Sequence, residues 1–177
     1  MVRARHGDED AYALLVRERA RPLLGVAWRI LHDQVAAEDA LQQALVTMWR
    51  ELPRLRDPER FEAWSVRLVV NAALNQARAD RRHRSMRVIP LVEPSIADSV
   101  RATLDRDALE GAFRQLSPEH RAVVVLHHHL GYSLGETAQI LGIPYGTVGS
   151  RLHHALRELR STLTREERLA RHEGRSG

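Results

Sequence analysis

Apolar residues recur at spacings of three and four along almost the whole chain, and this periodicity is the feature that most constrains its fold. A period near 3.6 residues is typical of amphipathic helices. No segment shows, for long, the alternation of apolar and polar residues that marks a half-buried strand. With 177 residues, the chain has room for one ordinary domain or two small ones. The pattern therefore predicts an all-α fold.

Turn and capping residues divide this pattern into seven predicted helices. The first covers about 11–31, and Pro22 is expected to start or kink its second half. The third follows Asp57-Pro58, because aspartate caps helices and proline favours the first helical turn. Its predicted buried face consists of Phe61, Trp64, Leu68 and Ala72. The others are predicted at about 35–52, 101–116, 118–130, 133–141 and 145–163.

Residues 85–99 interrupt the helical period, since they contain Pro90, Pro94 and three serines. We expect a linker at 85–100 between two small helical domains at 8–84 and 101–163, with a polar tail at 164–177. The linker also carries Val88, Ile89 and Ile96, which are costly to leave in water. A partner or a groove is therefore expected to cover it.

The last two predicted helices have the spacing of a helix-turn-helix, in which the second helix enters the major groove. Ser133 and Glu136 are spaced as a capping box, and Gly142 can adopt the left-handed turn conformation. The predicted buried stripe of the second helix is Val148, Leu152, Leu156 and Leu159. The residues available for phosphates or base edges are Tyr145, Thr147, Ser150, Arg151 and His154.

Residues 131–155 resemble the carboxy-terminal DNA-binding domain of bacterial sigma factors, most closely the extracytoplasmic-function (ECF) group. The resemblance is carried by the Pro-x-Gly-Thr-Val-x-Ser-Arg-Leu pattern at 144–152. It implies that this domain binds the −35 promoter element. Gly149 stands where the family usually has a basic residue, so we expect weaker or altered binding of that element.

The segment Ala-Glu-Asp-Ala-Leu-Gln-Gln at 37–43 is similar to a family segment that docks on the clamp coiled coil of core RNA polymerase. The resemblance implies a polymerase contact through Asp39, Gln42 and Gln43. These positions are i, i+3 and i+4, so they share one helix face that can meet a basic partner helix. Gln43 stands where the family favours glutamate.

The pattern Phe-x-x-Trp-x-x-x-Leu-x-x-Asn at 61–71 resembles the family segment that opens the promoter and reads the −10 element. Polar residues follow it at steps of three or four and form one stripe, which we call the −10 stripe: Arg67, Asn71, Asn75, Arg78 and Arg82. Arginines attract phosphates regardless of sequence, whereas asparagine amides can pair with base edges. The resemblance also implies that the loop 52–59 pockets a flipped base.

The sequence contains no complete set of catalytic or metal-binding residues. The chain has no cysteine, and its 27 basic residues, all arginine, exceed the 23 acidic residues by only four. Its histidine runs at 127–129 and 153–154 suggest a metalloenzyme, but adjacent helical residues point about 100° apart, and no His-Glu-x-x-His pattern occurs. We expect no catalytic residues, metal or cofactor. Without a signal sequence or an apolar run of about 20 residues, we expect a cytoplasmic protein that is not inserted in a membrane.

Together these features predict a promoter-specificity factor that binds core RNA polymerase and promoter DNA and initiates transcription of a stress- or signal-responsive regulon. The family resemblance also implies an anti-sigma factor as a partner. The alternative is a stand-alone helix-turn-helix regulator that acts as a dimer without polymerase. That alternative gives no role to the Asp39 helix, the −10 stripe or the apolar linker.

Overall fold

The computed structural model describes residues 1–86 and 104–173, and the ordered structure in these ranges is entirely helical. The prediction of an all-α fold is confirmed for this part of the chain. The predicted linker, residues 85–100, lies outside the described residues except for its first two positions, which end a helix. The helices are α1 (Val2–Arg5), α2 (Glu9–Leu31), α3 (Gln34–Glu51), α4 (Phe61–Met86), α5 (Leu104–Gln115), α6 (Pro118–Val124), α7 (Leu134–Leu141) and α8 (Tyr145–Glu173).

Side-chain caps fix where four of these helices begin. The cap residues of α2, α3, α6 and α7 are Asp8, Asp33, Ser117 and Ser133. Each side chain accepts a hydrogen bond from a backbone N–H of the first turn that has no partner within the helix. The capping box of α7 is confirmed, because the carboxylate of Glu136 accepts in return from the backbone N–H of Ser133 at 2.8 Å.

Two helices are more continuous than expected. Helix α2 does not start at Pro22 but runs through this exposed residue from Glu9 to Leu31. Water can satisfy the carbonyl that proline leaves without a donor on this side of the helix. The last helix also continues to Glu173 instead of ending near Leu163. The polar residues 164–173 are mostly good helix formers, and extending an existing helix costs little.

In the amino-terminal half, α2, α3 and α4 pack against one another, with α1 against α2. The predicted buried face of α4 is only partly buried: Phe61 lies in the core, whereas Trp64, Leu68 and Ala72 are half-buried and pack against its edge. The core positions of α4 include Val66, Val69, Val70, Ala73 and Leu74. These smaller side chains allow α4 to pack on α2 and α3 at once. The helix is therefore rotated from the orientation that its aromatic residues suggested.

In the carboxy-terminal half, α5, α6 and α7 pack around α8. The predicted stripe of α8 is confirmed at Val148 and Leu159, which are buried, whereas Leu152 and Leu156 are half-buried. Ala155 completes the buried side. The turn into α8 uses Gly142 in the left-handed conformation, with φ of 64°. The predicted helix at 118–130 instead splits into α6 and a π-helical turn, Val125–His129.

One apolar core spans both halves, and a second, smaller one lies within the carboxy-terminal half around Leu116 and Leu159. The π turn and α6 pack on α2, and α7 packs on α4. Ala122, Val125, Leu126 and Ile140 of the carboxy-terminal half therefore belong to the same buried cluster as the core of α2, α3 and α4. An ion pair between Arg81 Nη2 and Glu119 Oε2, 3.3 Å apart, crosses the same boundary. We call this packing of the two halves the closed arrangement.

His32 lies at the junction of the two halves. It ends α2 in the left-handed conformation, with φ of 52°, and its ring centroid is 5.0 Å from Trp28 and 5.6 Å from Phe113 of α5. Neither ring nitrogen has a hydrogen-bond partner. Burial, with smaller contributions from the charges of Arg121 and Arg114, lowers the pKa of His32 to about 4.

We expect acid to weaken the closed arrangement through this residue. His32 stays neutral in the closed arrangement down to about pH 4, whereas an exposed histidine takes up a proton near pH 6.5. Its contribution to stability is therefore complete above pH 6.5 and is lost as the pH falls toward 4. Thermal unfolding at pH 7 and pH 5 measures the loss. The control is His32→Asn, because asparagine tolerates the left-handed conformation and does not titrate. An equal loss in both proteins would assign the effect to carboxylates instead.

Candidate nucleic-acid and polymerase interface

The −10 stripe lies on one exposed side of α4. All five of its residues are exposed, and the stripe extends from Arg67 to Arg82, about 22 Å along the helix axis. Within it, Nη1 of Arg78 donates to Oδ1 of Asn75 at 3.0 Å. The structure thus brings these side chains together as the spacing predicts. Three formal positive charges and two amides along one helix face can hold a phosphate backbone and contact bases.

Trp64 was placed in the core by the sequence, but it is half-buried and lies on the flank of the −10 stripe. Its ring is 5.8 Å from that of Phe61, which anchors the beginning of α4. A partly exposed indole beside a basic stripe can stack on an unpaired base. The sequence signal for this role was spacing: Trp64 is three residues before Arg67, so the two side chains lie only about 60° apart around the helix.

The three residues predicted to bind polymerase, Asp39, Gln42 and Gln43, are all exposed on α3. They line one wall of a groove of about 620 Å³, whose opposite wall includes Asn75, Gln76 and Arg82 of α4. Two predicted surfaces that the sequence treats separately are therefore neighbours across one groove. A partner bound at Asp39 would lie directly beside the −10 stripe.

The predicted −35 residues lie in the first three turns of α8. Tyr145 is 62% exposed, Ser150 and His154 are exposed, and Thr147 and Arg151 are half-buried. At about 100° per residue, all except Tyr145 fall within one sector about 100° wide, and Tyr145 lies about 120° from its nearer edge. The structure therefore assembles four of the five residues on one side of α8.

The histidine runs have structural partners. His127 donates from Nδ1 to the backbone carbonyl of Tyr132 at 2.7 Å, which ties the π turn to the segment before α7. Within residues 1–86 and 104–173, no group of three or more histidine, cysteine, aspartate or glutamate side chains is placed to hold a metal ion. In the same ranges, no helix is both long and apolar enough to cross a membrane.

Comparison with protein families divides the chain in the same way. Residues 15–83 match the family model "Sigma-70 region 2", and residues 106–159 match "Sigma-70, region 4". The first range contains the −10 stripe and the Asp39 helix. The second contains the helix-turn-helix.

Similar proteins cover both halves. The ECF RNA polymerase sigma factor SigL of Mycobacterium tuberculosis is 37% identical over 165 residues, which span 89% of this chain and 93% of that protein. RNA polymerase sigma-E factor of Streptomyces avermitilis is 36% identical over 169 residues, or 94% of this chain and 92% of its own. These matches include the amino-terminal half, so the stand-alone regulator is not favoured.

Solved structures show the same fold. The sigma factor RpoE in complex with the anti-sigma factor NepR, from Bartonella quintana, matches with a TM-score of 0.69 and 22% identity, over 87% of this chain and 97% of that one. CnrH in complex with the cytosolic domain of CnrY matches with a TM-score of 0.63 and 24% identity, over 92% and 94%. With its helix-turn-helix and its extensive similarity to SigL, the chain belongs to the ECF RNA polymerase sigma factors, which direct core polymerase to promoters.

Proposed function

We propose that the two halves divide promoter recognition between them. Residues 8–84 bind core polymerase and the −10 element, residues 101–163 bind the −35 element, and 85–100 link the two. The observation that carries this division is that each half presents its own exposed polar surface, on α4 and on α8. The protein acts in the cytoplasm and catalyses no reaction of its own, because the chemistry of transcription belongs to the polymerase.

The −10 element is held by Arg67, Asn71, Asn75, Arg78 and Arg82. The arginines attract the phosphates of the strand, and the asparagine amides offer both a donor and an acceptor to unpaired bases. Trp64 supplies an aromatic surface for stacking at one end. This combination suits single-stranded DNA, because a duplex presents no free base face to an indole.

Polymerase is held through Asp39, Gln42 and Gln43. We expect Asp39→Ala to lower the affinity for core polymerase roughly two- to fivefold, because an exposed carboxylate contributes modestly to an ion pair. The loss should shrink as salt is raised. Fluorescence anisotropy with purified core measures it. Glu18→Ala is the control, because this exposed carboxylate lies on α2 and is not part of the groove that Asp39 lines. Equal effects of the two changes would contradict the assignment.

The −35 element is bound by α8 through Thr147, Ser150, Arg151 and His154, and Tyr145 reaches it from the first turn, on another side of the helix. In the free protein, Ser150 Oγ donates to the backbone carbonyl of Thr147 at 3.0 Å, so it can accept from DNA without rearrangement. The turn before α8 leaves the first residues of this helix free to enter the major groove, as in other helix-turn-helix proteins.

Gly149 offers a direct test of how α8 meets the DNA. Apart from the adjoining residues and backbone of α8 itself, no atom lies within 4 Å of the position that a Cβ would occupy there, so a side chain fits. We expect Gly149→Lys to tighten promoter binding and to steepen its salt dependence by about one phosphate contact. Gly149→Ala is the control, because it stabilises α8 by up to about 1 kcal/mol without adding charge. If lysine and alanine have the same effect, this side of α8 does not approach DNA.

The closed arrangement must open before both elements can be bound. Elements centred 25 base pairs apart are separated by about 85 Å of straight duplex, at 3.4 Å per pair. A compact chain of this length is only about 40 Å across. In addition, α7 lies over one end of the −10 stripe, where Arg67 and Trp64 share a cavity of about 440 Å³ with Glu136 and Gln139.

We also propose that an anti-sigma factor regulates this protein. Two of the similar folds were solved as complexes, one of them with a protein named as an anti-sigma factor. In the chain itself, a groove of about 570 Å³ at the junction of the halves is lined by apolar side chains that include Trp28, Phe113 and Leu109, of which Leu109 is 49% exposed. A regulator seated there would fix the closed arrangement.

Run-off transcription tests the proposed function as a whole. Purified core polymerase is combined with a candidate promoter, with and without this protein. We expect transcripts from a defined start site only when the reaction contains both core polymerase and this protein. DNA binding that needs no core polymerase, with no transcript gained, would overturn the proposal in favour of a stand-alone regulator.

A further inference from the structure

Two side chains on the exposed side of α8 form a contact that the predicted −35 set does not include. Nη2 of Arg157 lies 2.9 Å from Nδ1 of His154, three residues earlier on the helix. A guanidinium can only donate hydrogen bonds and stays charged at any ordinary pH. Nδ1 of His154 must therefore accept. A neutral imidazole with an accepting Nδ1 carries its hydrogen on Nε2.

Two other imidazole rings lie near that of His154. The ring of His120 on α6 lies nearly parallel to it, at 10°, with the centroids 6.5 Å apart. His120 is in turn placed by Glu158, whose Oε2 is 3.5 Å from its Nδ1, and by its position in the capped first turn of α6. The ring of His153 approaches His154 edge-on at 5.9 Å.

Resting on the proposed −35 contact of His154, we propose that Arg157 is a positioning residue for promoter recognition. By accepting from Arg157 at Nδ1, His154 presents a single N–H donor, at Nε2, to the major groove. The base edge that it selects is a hydrogen-bond acceptor, such as guanine O6 or N7 or thymine O4, and the edge that it rejects is the amino group of cytosine. The other N–H groups of Arg157 remain for the phosphates.

The contact between Arg157 and His154 affects sequence specificity and not only the attraction of DNA by charge. A histidine free to exchange tautomers could present either a donor or an acceptor at Nε2, and so could pair with any base. Fixing the hydrogen on Nε2 removes the accepting form. A point charge from Arg157 alone would strengthen binding to every sequence equally, because phosphate contacts carry no sequence information.

The test compares promoters that differ only at −35 positions, bound by holoenzyme that contains the full chain. We expect Arg157→Ala to lower the ratio of affinities for acceptor and amino edges about fivefold or more at one base position. The same change made in a His154→Lys background should weaken all sequences equally and leave that ratio intact, because the lysine ammonium can only donate and has no tautomer for Arg157 to fix. Arg160→Ala is the control, because this exposed arginine is one turn beyond Arg157 and about 120° from His154 around α8.

Nitrogen NMR of the free full-length protein tests the tautomer itself. The ¹⁵N shifts of His154 should show hydrogen on Nε2 in the native protein and a mixture in Arg157→Ala. Hydrogen on Nδ1 in the native protein, or equal loss of discrimination in both His154 backgrounds, would overturn the role of Arg157. If instead His154→Ala leaves discrimination unchanged while the tautomer is as expected, the −35 contact of His154 is what fails.

Discussion

Asn71→Ala is expected to reduce start-site-specific transcription by roughly 5- to 150-fold, because a well-placed amide contact with a base contributes about 1–3 kcal/mol. Asn71 is exposed at the second position of the −10 stripe, with Arg67 one turn before it and Asn75 one turn after. Losing the amide removes base recognition but leaves the charges that attract the strand. Run-off transcription at limiting protein measures the effect.

The controls separate recognition from assembly. Core affinity of Asn71→Ala should equal that of the native protein, since the side chain is outside the Asp39 trio. Asn71→Asp should be at least as damaging as alanine, because it adds a negative charge where phosphates approach. Arg17→Ala, an exposed change on α2, should have little effect. A normal transcript level from Asn71→Ala would remove α4 from the −10 contact.

The second large effect is a change in distance within the protein. We expect dyes on the two halves to be near each other in the free protein and to separate to distances approaching 85 Å when holoenzyme binds the promoter. Because the chain contains no cysteine, Arg17→Cys with Arg160→Cys provides two unique labelling sites on exposed positions of α2 and α8. Energy transfer should be high in the free protein and low in the promoter complex.

Intermediate states locate the step at which opening occurs. If core polymerase alone lowers energy transfer, binding at the Asp39 groove is coupled to the loss of the shared core. If only promoter DNA does so, the −35 element pulls the halves apart. Unchanged transfer in the complete complex would contradict opening and would require both elements to be bound by a chain about 40 Å across.

The features that could be predicted from sequence are those with local causes. Ser133 and Glu136 form their capping box within four residues, and Gly142 adopts its left-handed turn at the other end of α7. The −10 stripe was likewise predictable, because helical spacing alone puts Arg67 and Asn71 on one side. Family resemblance predicted which of these exposed faces have a role, which spacing alone does not indicate.

The features that could not be predicted depend on contacts between distant segments. Trp64 has the size of a core residue, but α4 packs on both α2 and α3, and that double contact selects smaller residues such as Val69 and Val70. Leu126 belongs to a helix pattern whatever it packs against, so its burial among residues of α2 had no sequence signal. The contact between His154 and Arg157 had the right spacing but no sign of which atom would donate.

Separating the two halves costs free energy, which binding to polymerase must supply. If the closed arrangement is favoured, only a fraction of the molecules is competent at any moment, and the apparent dissociation constant for core rises by the inverse of that fraction. Each 1.4 kcal/mol of packing between α6 and α2 lowers apparent affinity about tenfold. Substitutions at Ala122 or Leu126 could thus set how much sigma factor a cell must make before its promoters respond, without touching DNA or polymerase.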